Sequence, residues 1–300
     1  MSIYVEIRIR AAMDELWQRT QEPALHQRWD LRFTEITYLP RPDESQPQRF
    51  LYATRIGFGL RIRGEGESVG SREVDGARTS ALRFWSGDAK SLIREGSGYW
   101  QYVPTGDGIR FLTWYDYRTR FGPFGVAFDA VAFKPLMRWA TAWSFDCLRL
   151  WLEKGIPPEV SLQRSVVHAT VRVGLAFVFA YHGLVPKLLT HHPDELAMLA
   201  DGGFSAPAAV TTLQVMGLVE LAWAGVLVMF WHSRWPFTVT GIGVSAALIG
   251  VALRSPRYLS AAFNPVTLNV SIALLALIGW IVCRDLPSAS HTDYDRPADA

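Results

Sequence analysis

The polar and apolar positions of this 300-residue chain follow two rhythms, and the change from one to the other divides it. Over the first 120 residues apolar side chains return at every second position in short bursts, whereas over residues 165–283 they run almost without interruption. In the first burst Ile3, Val5, Ile7 and Ile9 alternate with Glu6, Arg8 and Arg10, the period of a strand with one buried and one wet face. Met13, Leu16 and Trp17 then fall at helical spacing, and Glu22-Pro23 opens a second short helical turn that ends near Trp29-Asp30. Six further alternating segments follow, at 34–39, 49–56, 60–69, 79–85, 92–103 and 109–120, separated by turn formers such as Asp75-Gly76 and Gly106-Asp107-Gly108. This spacing predicts an antiparallel meander. Residues 131–154 carry Leu136, Trp139, Ala140, Trp143, Cys147, Leu150 and Trp151 along one side, which predicts a long helix with a broad apolar stripe. Gly155 and Pro157-Pro158 stop it.

The second rhythm is that of a membrane. Only 9 of the 119 residues from 165 to 283 are Asp, Glu, Lys or Arg, against 43 of the 164 before them, so a soluble bundle of these helices would have no wet face. Four apolar runs, 166–185, 206–230, 237–253 and 266–283, each approach the roughly 20 residues that cross ~30 Å of hydrocarbon. Short polar breaks join them as antiparallel neighbours. The predicted domains are 1–155, a linker at 156–164, a four-helix transmembrane bundle at 165–283, and a disordered tail at 284–300.

Charge and cysteine content narrow the functions. The net charge is +2, and the Arg residues of the first 160 positions are scattered among comparable numbers of acids, which argues against a nucleic-acid partner. Cys147 and Cys283 are too few and too far apart for a metal site or a disulfide framework. Glu6, Arg8 and Arg10 interrupt any apolar core that a signal peptide would need. The first domain and both termini are therefore expected in the cytosol, on a multi-pass protein of a bacterial inner membrane. Arg149, Lys154, Arg164, Arg234 and Arg284 inside, against Lys187, Arg254 and Arg257 outside, fit the positive-inside rule modestly.

Strand alternation assigns faces. Arg49, Arg61, Arg63, Glu65, Glu67, Arg110 and Arg118 claim the wet face, leaving Phe50, Tyr52, Thr54, Leu60, Ile62, Leu82, Phe84, Phe111, Tyr115 and Tyr117 pointing inward, opposite Trp139 and Trp143 of the long helix. Two readings stay open: a filled aromatic core, or a pocket lined by Tyr52, Phe84, Tyr115, Tyr117, Trp139 and Trp143, whose tyrosine hydroxyls would orient an apolar ligand. No acid/base pair emerges. Asp116 falls on the wet face, Asp146 sits beside Cys147, and His26 reads as a surface residue.

Seven antiparallel strands, interrupted early by two short helices and closed by one long helix, are the element order of an α+β helix-grip domain. The opening, Ala-Ala-Met-Asp-Glu-Leu-Trp and then Glu-Pro-Ala-Leu-His-Gln-Arg-Trp-Asp, resembles the SRPBCC superfamily over residues 1–155. That superfamily includes START domains, Bet v 1 relatives and polyketide cyclases, and the resemblance implies a cavity between sheet and long helix without implying one chemistry. Further on, Arg172-Val-Gly-Leu-Ala-Phe-Val-Phe-Ala-Tyr-His-Gly-Leu-Val-Pro-Lys187 and Gly217-Leu-Val-Glu220-Leu-Ala-Trp-Ala-Gly225 resemble the DoxX family over residues 165–283. This likeness implies a four-helix membrane protein, some relatives of which are associated with thiosulfate:quinone oxidoreduction or membrane redox complexes.

Charges within a span cost about 2.5–3.5 kcal/mol each even on the lenient insertion scale. Arg172 lies ~10 Å in from the start of the first span and Glu220 ~15 Å from the end of the second, so the two are expected to pair. His168, Arg172 and His182 share one face of the first span, with Lys187 beyond them and Glu220 opposite, an intramembrane polar site that is either structural or a quinone site. No cofactor ligand set is evident, so quinone would be a borrowed cofactor. The expected function is a membrane-anchored binding protein for an apolar or amphipathic molecule such as a lipid, a quinone or a polyketide-like compound. The alternatives are a component of a quinone-linked oxidoreductase that docks a redox partner protein, and a scaffold without ligand.

Overall fold

The structure is a computed structural model that describes residues 2–41, 43, 45–57, 59–262 and 264–295. It divides into two compact units, 1–161 together with 287–300, and 162–286.

In the first unit β1 (Ser2–Ile9), β2 (Glu35–Tyr38), β3 (Arg49–Gly57), β4 (Leu60–Val74), β5 (Ala77–Trp85), β6 (Ile93–Thr105) and β7 (Gly108–Thr119) form one antiparallel sheet in the order β1-β7-β6-β5-β4-β3-β2. Between β1 and β2 lie α1 (Met13–Gln21) and α2 (Pro23–Trp29). This is the helix-grip arrangement, and the register confirms the assignment of faces. Ile3 stands opposite Tyr115, Tyr115 opposite Gly98, and Gly98 opposite Leu82, so one continuous face collects the apolar side chains. The long helix α4 (Lys134–Lys154) packs on β1. Under it Ile3, Val5, Ile7, Ile9, Phe111, Trp143, Phe145 and Leu148 are buried in one core.

Three features depart from the sequence expectation. Helix does not begin at 131. A short helix, α3 (Gly122–Phe128), and a π-helical turn (Asp129–Phe133) run directly into α4, even though Gly122-Pro123 and Gly125 look like breakers. Pro123 sits in the first turn, where its missing N–H costs nothing. The linker at 156–164 is largely helix, because α5 (Pro158–His182) starts there, and the unit boundary falls inside it at 161/162.

The tail expected to be disordered is folded as far as residue 295 and belongs to the first unit. Asp293 exchanges both backbone hydrogen bonds with Glu6, each 2.9 Å. The fully buried Asp146 carboxylate accepts from Ser288 N at 2.8 Å and from Arg149 at 2.7 Å, and faces His291 Nδ1 at 2.8 Å. Tyr294 stacks on Arg138. Polar composition concealed this docking because the backbone and a few side chains carry it, not an apolar run.

The second unit comprises α5, a π-helical turn (Gly183–Leu189), the short α6 (Pro193–Asp201), α7 (Ala206–Met229), α8 (Trp235–Arg254) and α9 (Pro265–Val282). Among the described residues, four helical spans are long and apolar enough to cross a membrane: Pro158–Leu189, Ala206–Met229, Trp235–Arg254 and Pro265–Val282. Their burial is inverted relative to a soluble bundle. Phe177, Met229 and Leu253 are 66–76% exposed, whereas Arg172 and Lys187 are buried, as expected where lipid surrounds the bundle.

Candidate functional site

The inner face of the sheet has two halves. Over β1, β7 and β6 it is sealed by the helices, and Tyr115, Tyr117 and Trp143 are 4–7% exposed within the core. Over β3, β4 and β5, Phe50, Tyr52, Thr54, Ile62, Leu82 and Phe84 are only partly buried. Glycines create this open half. Gly64 and Gly66 stand opposite Tyr52 and Phe50, and Gly96 stands opposite Phe84 and Tyr117. A Cβ at Gly64, Gly66 or Gly96 would strike the ring of Tyr52, Phe50 or Phe84 respectively. The rings therefore lie down across neighbouring strands and form an aromatic floor. The repeats Gly64-Glu65-Gly66 and Gly96-Ser97-Gly98 were the available sequence signal, since a spacing of two puts both glycines on one face.

Of the six expected lining residues, Tyr52 and Phe84 thus belong to the open half and Tyr115, Tyr117 and Trp143 to the wall behind it. Trp139 is 48% exposed, one turn before Trp143, and the buried stripe of α4 begins only at Thr141. Burial pushes the Tyr52 hydroxyl up to about 12, which keeps it protonated as a donor. The Tyr117 hydroxyl donates to Asp129 Oδ1 at 2.7 Å, and the Tyr115 and Thr141 hydroxyls lie 3.2 Å apart.

Sequence reasoning missed the polar cluster at the edge of this floor. Arg32 donates from Nε and its terminal nitrogen to Asp30 at 2.8 and 2.6 Å, and His26 Nε2 lies 3.0 Å from the same carboxylate. Asp30 is fully buried as a side chain and Arg32 is 8% exposed. Burial alone would raise the Asp30 carboxyl, but the charge and hydrogen bonds of Arg32, with His26 behind them, hold it well below the usual carboxylate range. The reading of His26 as a surface residue is corrected: its ring stacks on Trp29 and meets Phe33 and Trp100 edge-on. The guanidinium also lies 5.6 Å from the rings of both Phe33 and Tyr115, and Phe33 packs edge-on against Tyr52. A fixed charge pair therefore borders an apolar floor. The motif Asp30-Leu-Arg32 is short and local, and nothing in its spacing distinguishes it from a surface pair.

The intramembrane residues separate into two clusters, and the expected pairing of Arg172 with Glu220 is not formed. Arg172 donates to Leu227 O at 2.7 Å, to Ser233 O, and to His168 Nε2 at 2.9 Å, with its guanidinium 4.4 Å from the Phe237 ring. Leu227 O belongs to the last turn of α7, where cations are favoured, and Ser233 O to the turn between α7 and α8. Glu220 is instead 3.2 Å from Lys187, which is also 3.2 Å from Glu195. Glycine is the cause. A Cβ on Gly183 would stand 2.6 Å from Gly217 O and one on Gly217 2.8 Å from Gly183 O, so the first two spans cross backbone to backbone. That crossing sets Glu220 beside the π-helical turn that carries Lys187. His182 precedes this turn, half-buried and edge-on to Tyr181.

Fold and sites together define a membrane protein with a helix-grip unit ahead of a four-helix, DoxX-like unit. The DoxX-like family model matches residues 176–278. The "Uncharacterized membrane protein YndG" of Bacillus subtilis (strain 168) is 45% identical over 186 residues, which are 60% of this chain and 68% of the relative. The chain belongs to the family of membrane proteins that includes YndG. Among solved structures, the di-domain ARO/CYC StfQ from the steffimycin biosynthetic pathway is 13% identical with a TM-score of 0.41, covering 52% of each chain. A STAR-related lipid transfer protein from Xanthomonas axonopodis is 20% identical with a TM-score of 0.37, covering 49% of this chain and 83% of that one. The helix-grip assignment itself rests on the strand order and register.

Proposed function

We propose that this chain is a membrane-anchored binding protein that takes an apolar or amphipathic molecule onto the open half of its cup. One observation carries the reading: Phe50, Tyr52 and Phe84 lie over glycines on the inner face and are only partly buried, whereas Tyr102 and Phe111 further along the sheet are fully buried in the core. The Tyr52 hydroxyl and the Arg32–Asp30 pair would orient the polar end of such a ligand, while the rings hold its apolar body. Lipids, isoprenoid quinones and polyketide-like aromatics share this chemistry, and all partition into the bilayer that anchors the protein. The proposed location is a bacterial inner membrane with the cup and the C-terminus in the cytosol. Solvent extraction of the protein purified from its own membranes, followed by mass spectrometry, tests the reading. A specific amphiphile is expected in the extract of the wild type, at lower yield from Tyr52→Ala/Phe84→Ala. Equal recovery from both would contradict it.

A second reading, a quinone-linked oxidoreductase component with a redox partner, draws on Lys187. This buried cation has two carboxylate neighbours on a π-helical turn, with His182 one turn away. Quinone in the extract that persists in the Tyr52→Ala/Phe84→Ala variant and disappears with Lys187→Leu would favour it.

A further inference from the structure

The most exposed apolar segment of the first unit lies outside the cup. From Phe121 to Phe133 the chain reads Phe-Gly-Pro-Phe-Gly-Val-Ala-Phe-Asp-Ala-Val-Ala-Phe, in which Asp129 is the one charged residue. Every other position in a soluble setting would be expected to turn its large side chains inward. Here Phe124 is 77% exposed and Val131 82%, with Phe121 and Phe128 at 55% and 50%. Leu136 and Trp139, on the first turns of α4, continue the patch. Asp129, by contrast, is fully buried, holding the Tyr117 hydroxyl. The segment is thus fixed from behind by its polar residue and presents its apolar residues outward.

We infer that α3 and the π-helical turn, from Phe121 to Phe133, form a bilayer-docking surface that inserts its phenylalanines into the headgroup and upper acyl region. Three observations select lipid over a second protein. First, a bilayer is always at hand, because the first unit continues at residue 162 directly into a membrane span within one helix, and the chain returns from the last span at 287. Second, the charge fits an anionic leaflet. Between residues 117 and 145 the basic residues are Arg118, Arg120, Lys134 and Arg138, and the lone acid, Asp129, is buried. Lys134 and Arg138 border the apolar patch itself, where each basic group near such a surface contributes about 1 kcal/mol. Third, the pattern is that of an interfacial element: a short apolar face of Phe, Val, Leu and Trp with cations at its rim.

The position gives the surface a purpose. Tyr117, held by Asp129 and met edge-on by Phe133, stands opposite Gly96, and Gly96 opposite Phe84. The docked segment therefore borders the open half of the cup at the Phe84 end. An amphiphile leaving the acyl region would meet the aromatic floor without crossing water. The docking inference does not depend on the ligand reading, and it is tested without any ligand.

The test uses the full chain reconstituted in vesicles of phosphatidylcholine, with and without phosphatidylglycerol, in a Cys147→Ala/Cys283→Ala background. An environment-sensitive fluorophore is attached at Phe124→Cys, at Val131→Cys, or at Asp107→Cys in the exposed β6–β7 turn. Nitroxide-labelled phosphatidylcholine is expected to quench the labels at 124 and 131 several-fold more than the label at 107, with blue-shifted emission. Lys134→Glu should reduce that quenching in the phosphatidylglycerol vesicles and leave the melting transition in place. Labels at 124 and 131 that are quenched no more than at 107 would overturn the inference. So would shielding that rises with protein-to-lipid ratio, since the patch would then be covered by a second copy.

Discussion

Each unit buries an arginine, and the two solve the problem differently. Arg32 in the cup is met by a carboxylate, with bidentate bonds to Asp30 and His26 in support. Among the described residues Arg172 in the membrane unit is met by no carboxylate: two carbonyls, an imidazole, the Cys283 thiol and an aromatic face surround it. The membrane's ion pairing occurs elsewhere, at Lys187 with Glu220 and Glu195. The contrast separates two kinds of buried cation. One is half of a pair and leaves a stranded charge when its partner is removed. The other is a cap on helix carbonyls and leaves only dipoles.

Substitutions break or sharpen this contrast in a definite order. Gly183→Leu should have the largest effect, because the added side chain meets Gly217 O and forces the first two spans apart, taking Glu220 from Lys187. A loss of the cooperative melting transition in detergent is expected, against the 1–3 kcal/mol of ordinary overpacking, roughly. Next come Lys187→Leu and Asp30→Asn. Asp30→Asn leaves the buried Arg32 unmatched, at about 3–5 kcal/mol, and Lys187→Leu leaves two partly buried carboxylates without their cation, at no more than that, while Lys187→Leu/Glu220→Leu should recover much of the loss. If the single and double variants prove additive, Lys187 and Glu220 do not interact. Arg172→Leu should cost less, about 1–3 kcal/mol, since it strands carbonyls rather than a charge. An Arg172→Leu loss equal to that of Lys187→Leu would erase the distinction.

Acid sharpens the same comparison with a smaller, graded effect. The folded-state pKa of Asp30 is depressed, so the stability it contributes is complete above the ordinary carboxylate value near 4, roughly, and is lost as the pH falls below it. Unfolding of the first unit, followed by fluorescence from neutral pH downward, should show this loss, and Asp30→Asn should flatten it. The smallest effect belongs to the tail. His291 is half-exposed beside Asp146, so His291→Ala should change stability by less than about 1 kcal/mol.

The sheet, its faces and the four spans were legible in the sequence because a period of two and a long apolar run are each imposed by burial. The rest was hidden for physical reasons. Arg172's partners are backbone carbonyls, which every residue carries, so depth arithmetic found Glu220 instead. The helix at 122–133 was masked because Gly122, Pro123 and Gly125 read as breakers until their place in the first helical turn is seen. Asp30 and Arg32 were masked because a local charged pair looks the same on the surface and in a wall. The aromatic floor was half legible: alternation gave the faces of Tyr52 and Phe84, but which glycines lie beneath their rings depends on the strand register, which alternation does not fix.

Phe50, Tyr52 and Phe84, partly exposed on the inner face of the sheet, form the proposed binding surface. Native mass spectrometry of the full chain released from detergent measures this most directly, as mass per chain above that of the polypeptide. The account predicts a bound amphiphile at one copy per chain in the wild type, and its loss in Tyr52→Ala/Phe84→Ala with the membrane unit's melting transition unchanged. A wild-type chain that emerges bare, or one whose bound mass survives those two substitutions, would contradict it.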